Sequence, residues 1–132
     1  MTQDETRQME RLRAFLAGQS ALELAVLVGS RATGRAHADS DWDFAIQWPA
    51  TLPLFDQLAS SETLRRALAT LLGVTEERID LIDLPRARLA MRAAVAEEGL
   101  VLKGEDRLAW NHFLARTWRE LEDFAWEQAR VA

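Results

Sequence analysis

Residues 22–28 read LELAVLV and stop at Gly29. An apolar run of this length, ended by glycine, is a buried strand rather than a helix. Residues 41–48, DWDFAIQW, make a second strand, closed by Pro49, and residues 77–84, ERIDLIDL, make a third, closed by Pro85. Three such strands commit the chain to a sheet, and the remaining segments must cover it. Residues 4–18 carry Met9, Leu12, Phe15 and Leu16 at helical spacing and end at Gly18. Residues 53–72 form an amphipathic helix through Leu54, Leu58, Leu64, Leu68, Leu71 and Leu72, ending at Gly73. Residues 86–98 are helical up to Gly99, LVLKG is a short fourth strand or turn, and a long helix fills about residues 105–130. The order α–β–β–α–β–α–β–α predicts an α/β (α+β) fold, a small mixed sheet with helices mainly on one face.

Composition narrows the function classes. The 132 residues fit a single domain spanning 1–132, and 48% hydrophobic content argues against disorder. A net charge of −5 argues against non-specific binding to nucleic acid or an anionic membrane, while leaving room for a local basic pocket around a phosphate. With no cysteine, disulfides and thiolate metal sites are excluded. The polar start MTQDETRQMERLRAF is no signal peptide, and no apolar run approaches the ~18–20 residues of a membrane span. The expectation is a soluble cytoplasmic protein without direct nucleic-acid or membrane partners.

The chemistry lies between Val26 and Trp48, in VLVGSRATGRAHADSDWDFAIQW. A strand running into Gly29-Ser30 and a turn or short helix suits a phosphate: glycine admits a close ligand, free N–H groups point at the anion, and the Ser30 hydroxyl adds a donor. An ordinary strand-ending turn is the competing reading of the same pair. Walker A spacing is met from Gly29 to Ala36, but Arg35 and Ala36 stand where the lysine and the Ser/Thr belong, so a P-loop is excluded. Asp41 and Asp43 are two apart and share one strand face, with Trp42 and Phe44 on the other. Their repulsion calls for a hard divalent cation such as Mg²⁺, which pairs carboxylates with substrate phosphates. Asp80, mid-strand between Ile79 and Leu81, is the third carboxylate, as metal ligand or base; Asp83, three residues on, faces the opposite way and is the alternative. Asp41, Asp43 and Asp80 with Ser30 make a two-metal nucleotidyl-transfer centre. Arg31 and Arg35 follow Ser30 closely and suit the neutralisation of a triphosphate, and plain solvation nearly as well. His37 and His112 share no metal-ligand spacing, and Arg65, Arg66, Arg86, Arg88 and Arg92 read as solvated helix faces.

Gly29-Ser30, ten residues, then Asp41-Trp42-Asp43 resembles the Gly-Ser-x10-Asp-x-Asp signature of the DNA polymerase β-like nucleotidyltransferases, over roughly residues 10–104. The short chain is similar to the minimal nucleotidyltransferase branch. That resemblance implies the polymerase β-like fold, a nucleotide site at Gly29, Ser30 and Arg31, catalytic and metal-binding carboxylates at Asp41, Asp43 and Asp80, and Mg²⁺ as a two-metal cofactor. It further implies an antitoxin that transfers AMP from ATP to a tyrosine of a partner HEPN ribonuclease toxin in a hetero-oligomer. Trp42 departs from the aliphatic residue common at that position. A non-catalytic antitoxin acting by binding alone, and a small-molecule transferase of the aminoglycoside type, are the alternatives. On the C-terminal helix, Trp110, Phe113, Leu114, Leu121, Phe124 and Ala125 fall on one side, which is expected to pack on the domain. Trp118 falls at its margin, and Trp126 nearly opposite Trp110 as a surface anchor.

Overall fold

The N-terminal helix starts at a polar cap. Thr2 lies just before α1 (Gln3–Ala17), its hydroxyl accepts the Glu5 N–H at 3.1 Å, and Asp4 and Glu5 place negative charge in the first turn. The computed structural model of the chain describes residues 2–131. After α1 come β1 (Leu24–Val28), the one-turn helix α2 (Ser30–Thr33), β2 (Trp42–Gln47) and α3 (Leu54–Leu72). Then follow β3 (Ile79–Asp83), α4 (Leu89–Glu98), β4 (Leu100–Lys103) and α5 (Leu108–Val131), with short 3₁₀ turns at Glu76–Arg78 and Leu84–Arg86 on either side of β3. The order expected from the sequence is therefore the order found, and of the turn or short helix expected after Gly29 the structure has the helix, α2.

The sheet runs β3-β2-β1-β4. β1 pairs antiparallel with β2 and with β4, and β2 pairs parallel with β3, so the sheet is mixed. All five residues of β1 are buried. A strand without apolar–polar alternation is one covered on both faces, and here that is the case. Leu12, Leu16, Leu64 and Leu68 of α1 and α3 pack with Ala25, Leu27, Trp42 and Phe44 on one face. Val95 of α4 and Trp110 and Phe113 of α5 pack with Leu24, Val26, Val28 and Ala45 on the other. The layering thus corrects the expectation of helices mainly on one face: two helices flank the sheet on each side.

The C-terminal helix packs for only part of its length. Trp110, Phe113 and Thr117 are buried, and Leu114 and Leu121 are half-buried. Residues 122–131 are all exposed, among them Phe124 and Ala125, which the helical periodicity had placed on the packed side. Periodicity gives the direction of a side chain, not how far along the helix the body reaches. Arg92 on α4 is a second correction: rather than solvated it is 5% exposed, donates from Nε to the Ala87 carbonyl at 3.1 Å and forms an ion pair with Glu120 of α5. Arg65 likewise turns inward, donating to the Ile79 carbonyl.

Candidate functional site: a carboxylate cluster at the end of the sheet

Strand pairing assembles the site. In the parallel ladder of β2 and β3, Asp43 stands beside Asp80, with Trp42 beside Ile79 and Phe44 beside Leu81. Neighbouring strands lie about 4.8 Å apart, and paired residues show their side chains to the same face. Asp43 and Asp80 therefore project together on the α4/α5 side of the sheet, and Asp41, two residues earlier, opens the same row. Trp42 and Phe44 go to the opposite face, where their rings stack with centroids 6.3 Å apart. This is the arrangement expected from the Asp-x-Asp spacing.

Gly29 closes the site from β1. The antiparallel register sets Val28 opposite Asp43, and the chain then turns at Gly29 with φ 72°. A Cβ on Gly29 would stand 2.4 Å from Asp43 Oδ2. Glycine is needed twice over, for a backbone at φ 72° and ψ −157° that other residues scarcely adopt and for the carboxylate pressed against it. Helix α2 begins immediately after. The Ala32 and Thr33 N–H groups donate to the Gly29 carbonyl at 3.0 and 3.3 Å, while those of Ser30 and Arg31 lie in the first turn, where a helix supplies no acceptor. Gly29, Ser30 and Asp43 are thus neighbours at one end of the sheet.

The row of three carboxylates bears most on its half-buried member. The Asp43 carboxyl is pushed above the ordinary aspartate range, first by its burial, then by the negative charges of Asp80 and Asp41. Asp80 and Asp41 are exposed, and Asp41 has found a cation of its own: Arg78 Nε donates to Asp41 Oδ1 at 3.0 Å. Among the described residues, no three of His, Cys, Asp and Glu already stand together as a metal cage. The donor set nevertheless fits a hard cation: it is all oxygen and paired across two strands, and a divalent ion would offset the negative charge that Asp80 and Asp41 impose on Asp43. Asp83 lies elsewhere, beside Ile46 and ion-paired to Arg86 at 2.6 Å.

Arg31 is not brought to the carboxylates. Its guanidinium lies 4.3 Å from the Trp42 ring centre and donates to the Ser40 carbonyl at 2.8 Å, on the face of β2 that Asp43 does not share. Only its backbone N–H remains beside Ser30. The Trp42 that departs from the family pattern is thereby explained: it is the platform for Arg31, and the pair fixes the loop that leads into Asp41. His37 belongs to that loop, its N–H donating to Ser40 Oγ and its Nδ1 accepting from the Asp39 N–H. No motif announces Arg78; it emerges only on counting the β2–β3 register outward from Asp43 and Asp80. A cavity of about 610 Å³, lined by Gln47, Arg86, His112 and Arg116 among others, opens at the other end of the sheet and takes in none of the three carboxylates.

Comparison with known proteins places the chain in a family. The family model described as "Polymerase beta, Nucleotidyltransferase" matches residues 10–108. The protein adenylyltransferase MntA of Aphanizomenon flos-aquae is 30% identical over 98 residues, 72% of this chain and 65% of that protein, so the chain matches just under two thirds of that relative's length. Among solved structures, a mutant of the MntA–HpeT toxin–antitoxin complex is 25% identical, with TM-score 0.63 over 96% of this chain and 93% of the other. A toxin–antitoxin structure with AMP-PNP has the same fold at 23% identity, TM-score 0.67, over 92% and 94% of the two chains. So does the MNT antitoxin in complex with the tri-AMPylated HEPN toxin of Shewanella oneidensis, at 21% identity, TM-score 0.63, over 94% of each.

Proposed function

Because the chain belongs to the polymerase β nucleotidyltransferase family, we propose that it is an Mg²⁺-dependent adenylyltransferase antitoxin, moving AMP from ATP to a tyrosine of a HEPN-type toxin. The observation that carries this reading is the seat of Gly29 against Asp43, with Asp80 alongside: a nucleotide turn built directly onto paired carboxylates. Support for the choice of substrate comes from the similar protein being an adenylyltransferase and from similar folds occurring in toxin–antitoxin complexes, one with an ATP analogue and one with an AMPylated toxin. ATP as donor suits the cytoplasm, and among the described residues no helix is long and apolar enough to cross a membrane.

The residues divide the work by position. The first-turn N–H groups of α2 and the Ser30 hydroxyl receive the terminal phosphates, Gly29 letting them approach. Asp41, Asp43 and Asp80 would hold Mg²⁺, which supplies neutralisation of the triphosphate and polarisation of the attacking oxygen when bound. The acceptor hydroxyl oxygen forms a bond to the α-phosphorus, and the bond from that phosphorus to the bridging oxygen breaks. Pyrophosphate leaves with the electron pair. The acceptor's proton passes to Asp80 where that carboxylate acts as the base in place of a metal ligand, and otherwise to water. The acceptor must come from outside, since the chain has no tyrosine.

The test is a reconstituted reaction of the chain, a HEPN-type partner, ATP and Mg²⁺, read by mass spectrometry. AMP on a partner tyrosine, lost in excess chelator, is the expected result. Neutralisation of the toxin without any AMP transfer would replace the enzyme by a binding antitoxin, and strong labelling of this chain alone would change the acceptor chemistry.

A further inference from the structure

Arg78 touches the carboxylate row and has no part in the reaction just described. It precedes β3 as Asp41 precedes β2. The parallel register that sets Asp43 beside Asp80 and Trp42 beside Ile79 continues one step outward and brings Arg78 to Asp41. The row is therefore a quadrilateral: Asp43 and Asp80 at the inner corners, Asp41 and Arg78 at the outer ones. The ion pair is open to water, its side chains 32% and 59% exposed, so it is readily exchanged. A guanidinium offers donors only and cannot ligate a metal.

We propose that Arg78 is a resident counter-cation of the site, holding Asp41 in the metal-free protein in the place a divalent ion takes during the reaction, so that metal binding must displace it. The inference rests on the assignment of Asp41, Asp43 and Asp80 as the metal-binding carboxylates. It accounts for two features together: a donor set suited to a hard cation, and among the described residues no three acids already gathered around one. The outer carboxylate is already bonded to Arg78. A metal ion arriving alone meets a positive group at its ligand. One arriving with a triphosphate brings anionic oxygens that can receive the released guanidinium. The chain should accordingly take its metal with the nucleotide rather than ahead of it.

The experiment is a Mn²⁺ titration of the intact chain without nucleotide, followed by the electron paramagnetic resonance signal of free Mn²⁺, beside melting curves. Arg78→Gln is expected to bind Mn²⁺ about two- to fivefold tighter than wild type, the range into which the worth of an exposed ion pair converts. Arg78→Lys, which keeps the charge, should stay close to wild type, and both variants should melt with it. AMP-PNP should tighten Mn²⁺ binding more in wild type than in Arg78→Gln. Arg78→Gln binding Mn²⁺ no tighter than wild type, or Arg78→Lys gaining as much as Arg78→Gln, overturns the proposal. If wild type and Asp43→Asn take up Mn²⁺ alike, with or without AMP-PNP, the carboxylates are not the metal site and the premise itself falls.

Discussion

Asp43 is the residue on which fold and chemistry pull in opposite directions. Burial, Asp80 and Asp41 all raise its proton affinity in the folded protein. The folded state then holds that proton more tightly than the unfolded chain, so ionising Asp43 costs folding free energy. The cost is absent below the ordinary aspartate range. It grows as the pH rises through the raised value and is complete above it. Asp43→Asn should therefore abolish AMP transfer yet melt no lower than wild type at neutral pH, with any gain vanishing as the pH falls toward the ordinary aspartate range; melting curves at several pH values beside a transfer assay check both. Gly29→Ala should lose transfer and stability together. Its methyl would drive into Asp43 Oδ2, and alanine at positive φ costs about 1 kcal/mol. Transfer at wild-type rate by Gly29→Ala would show that the contact is not needed. The gathering of Gly29, Asp43 and Asp80 was legible beforehand, because a glycine stop, an Asp-x-Asp alternation and a mid-strand aspartate each fix a place and a face on adjacent strands. Arg31 was not legible: its place is decided by the Trp42 ring, inside the same motif but on the face of β2 opposite Asp43, and spacing alone does not say to which face a loop arginine turns.

At the scale of elements, the order of strands and helices follows from glycine and proline stops, and the structure reproduces it, with the three strands shortened to Leu24–Val28, Trp42–Gln47 and Ile79–Asp83 because the ends of the expected runs go into turns and loops. What the sequence left open was which face each helix covers. The unbroken apolar run of β1 held that answer, since burial at every position demands cover on both sides. The joint between α4 and α5 was hidden for a different reason. An arginine on a helix is normally solvated, and only the arrival of Glu120 from a distant helix makes burial of Arg92 tolerable. The ion pair lowers the proton affinity of Glu120, chiefly through its bond to Arg92. The two halves of the pair are unequal: Arg92 is enclosed, whereas Glu120 reaches water. Glu120→Ala strands a buried guanidinium, while Arg92→Met leaves a carboxylate that can hydrate and an apolar side chain that can fill the space. The first should unfold at lower denaturant than the second, and the opposite order in an unfolding titration would place the cost of the joint on the carboxylate.

At the scale of the whole molecule, the chain has a packed body and an uncovered helical arm. Trp118, Phe124 and Trp126 are 40%, 56% and 61% exposed along α5, with Arg130 over the Trp126 ring. Aromatic side chains exposed on an unpacked helix are of the kind that interfaces use as anchors. Trp126→Ala is expected to weaken binding to the proposed HEPN-type partner by ~1–2 kcal/mol, as truncation of an aromatic anchor does, and to leave the melting temperature of the isolated chain nearly unchanged. A binding titration beside a melting curve measures both; a strong fall in melting temperature with binding intact would return Trp126 to the core. The same arm gives the protein an optical handle. Five tryptophans and no tyrosine mean that its near-ultraviolet emission comes from indole alone. Trp42, Trp48 and Trp110 are buried and Trp118 and Trp126 face water, so the red side of that emission belongs to α5. Whatever covers the arm will shift the spectrum to the blue without a label, and any tyrosine signal that appears in a mixture will belong to the partner.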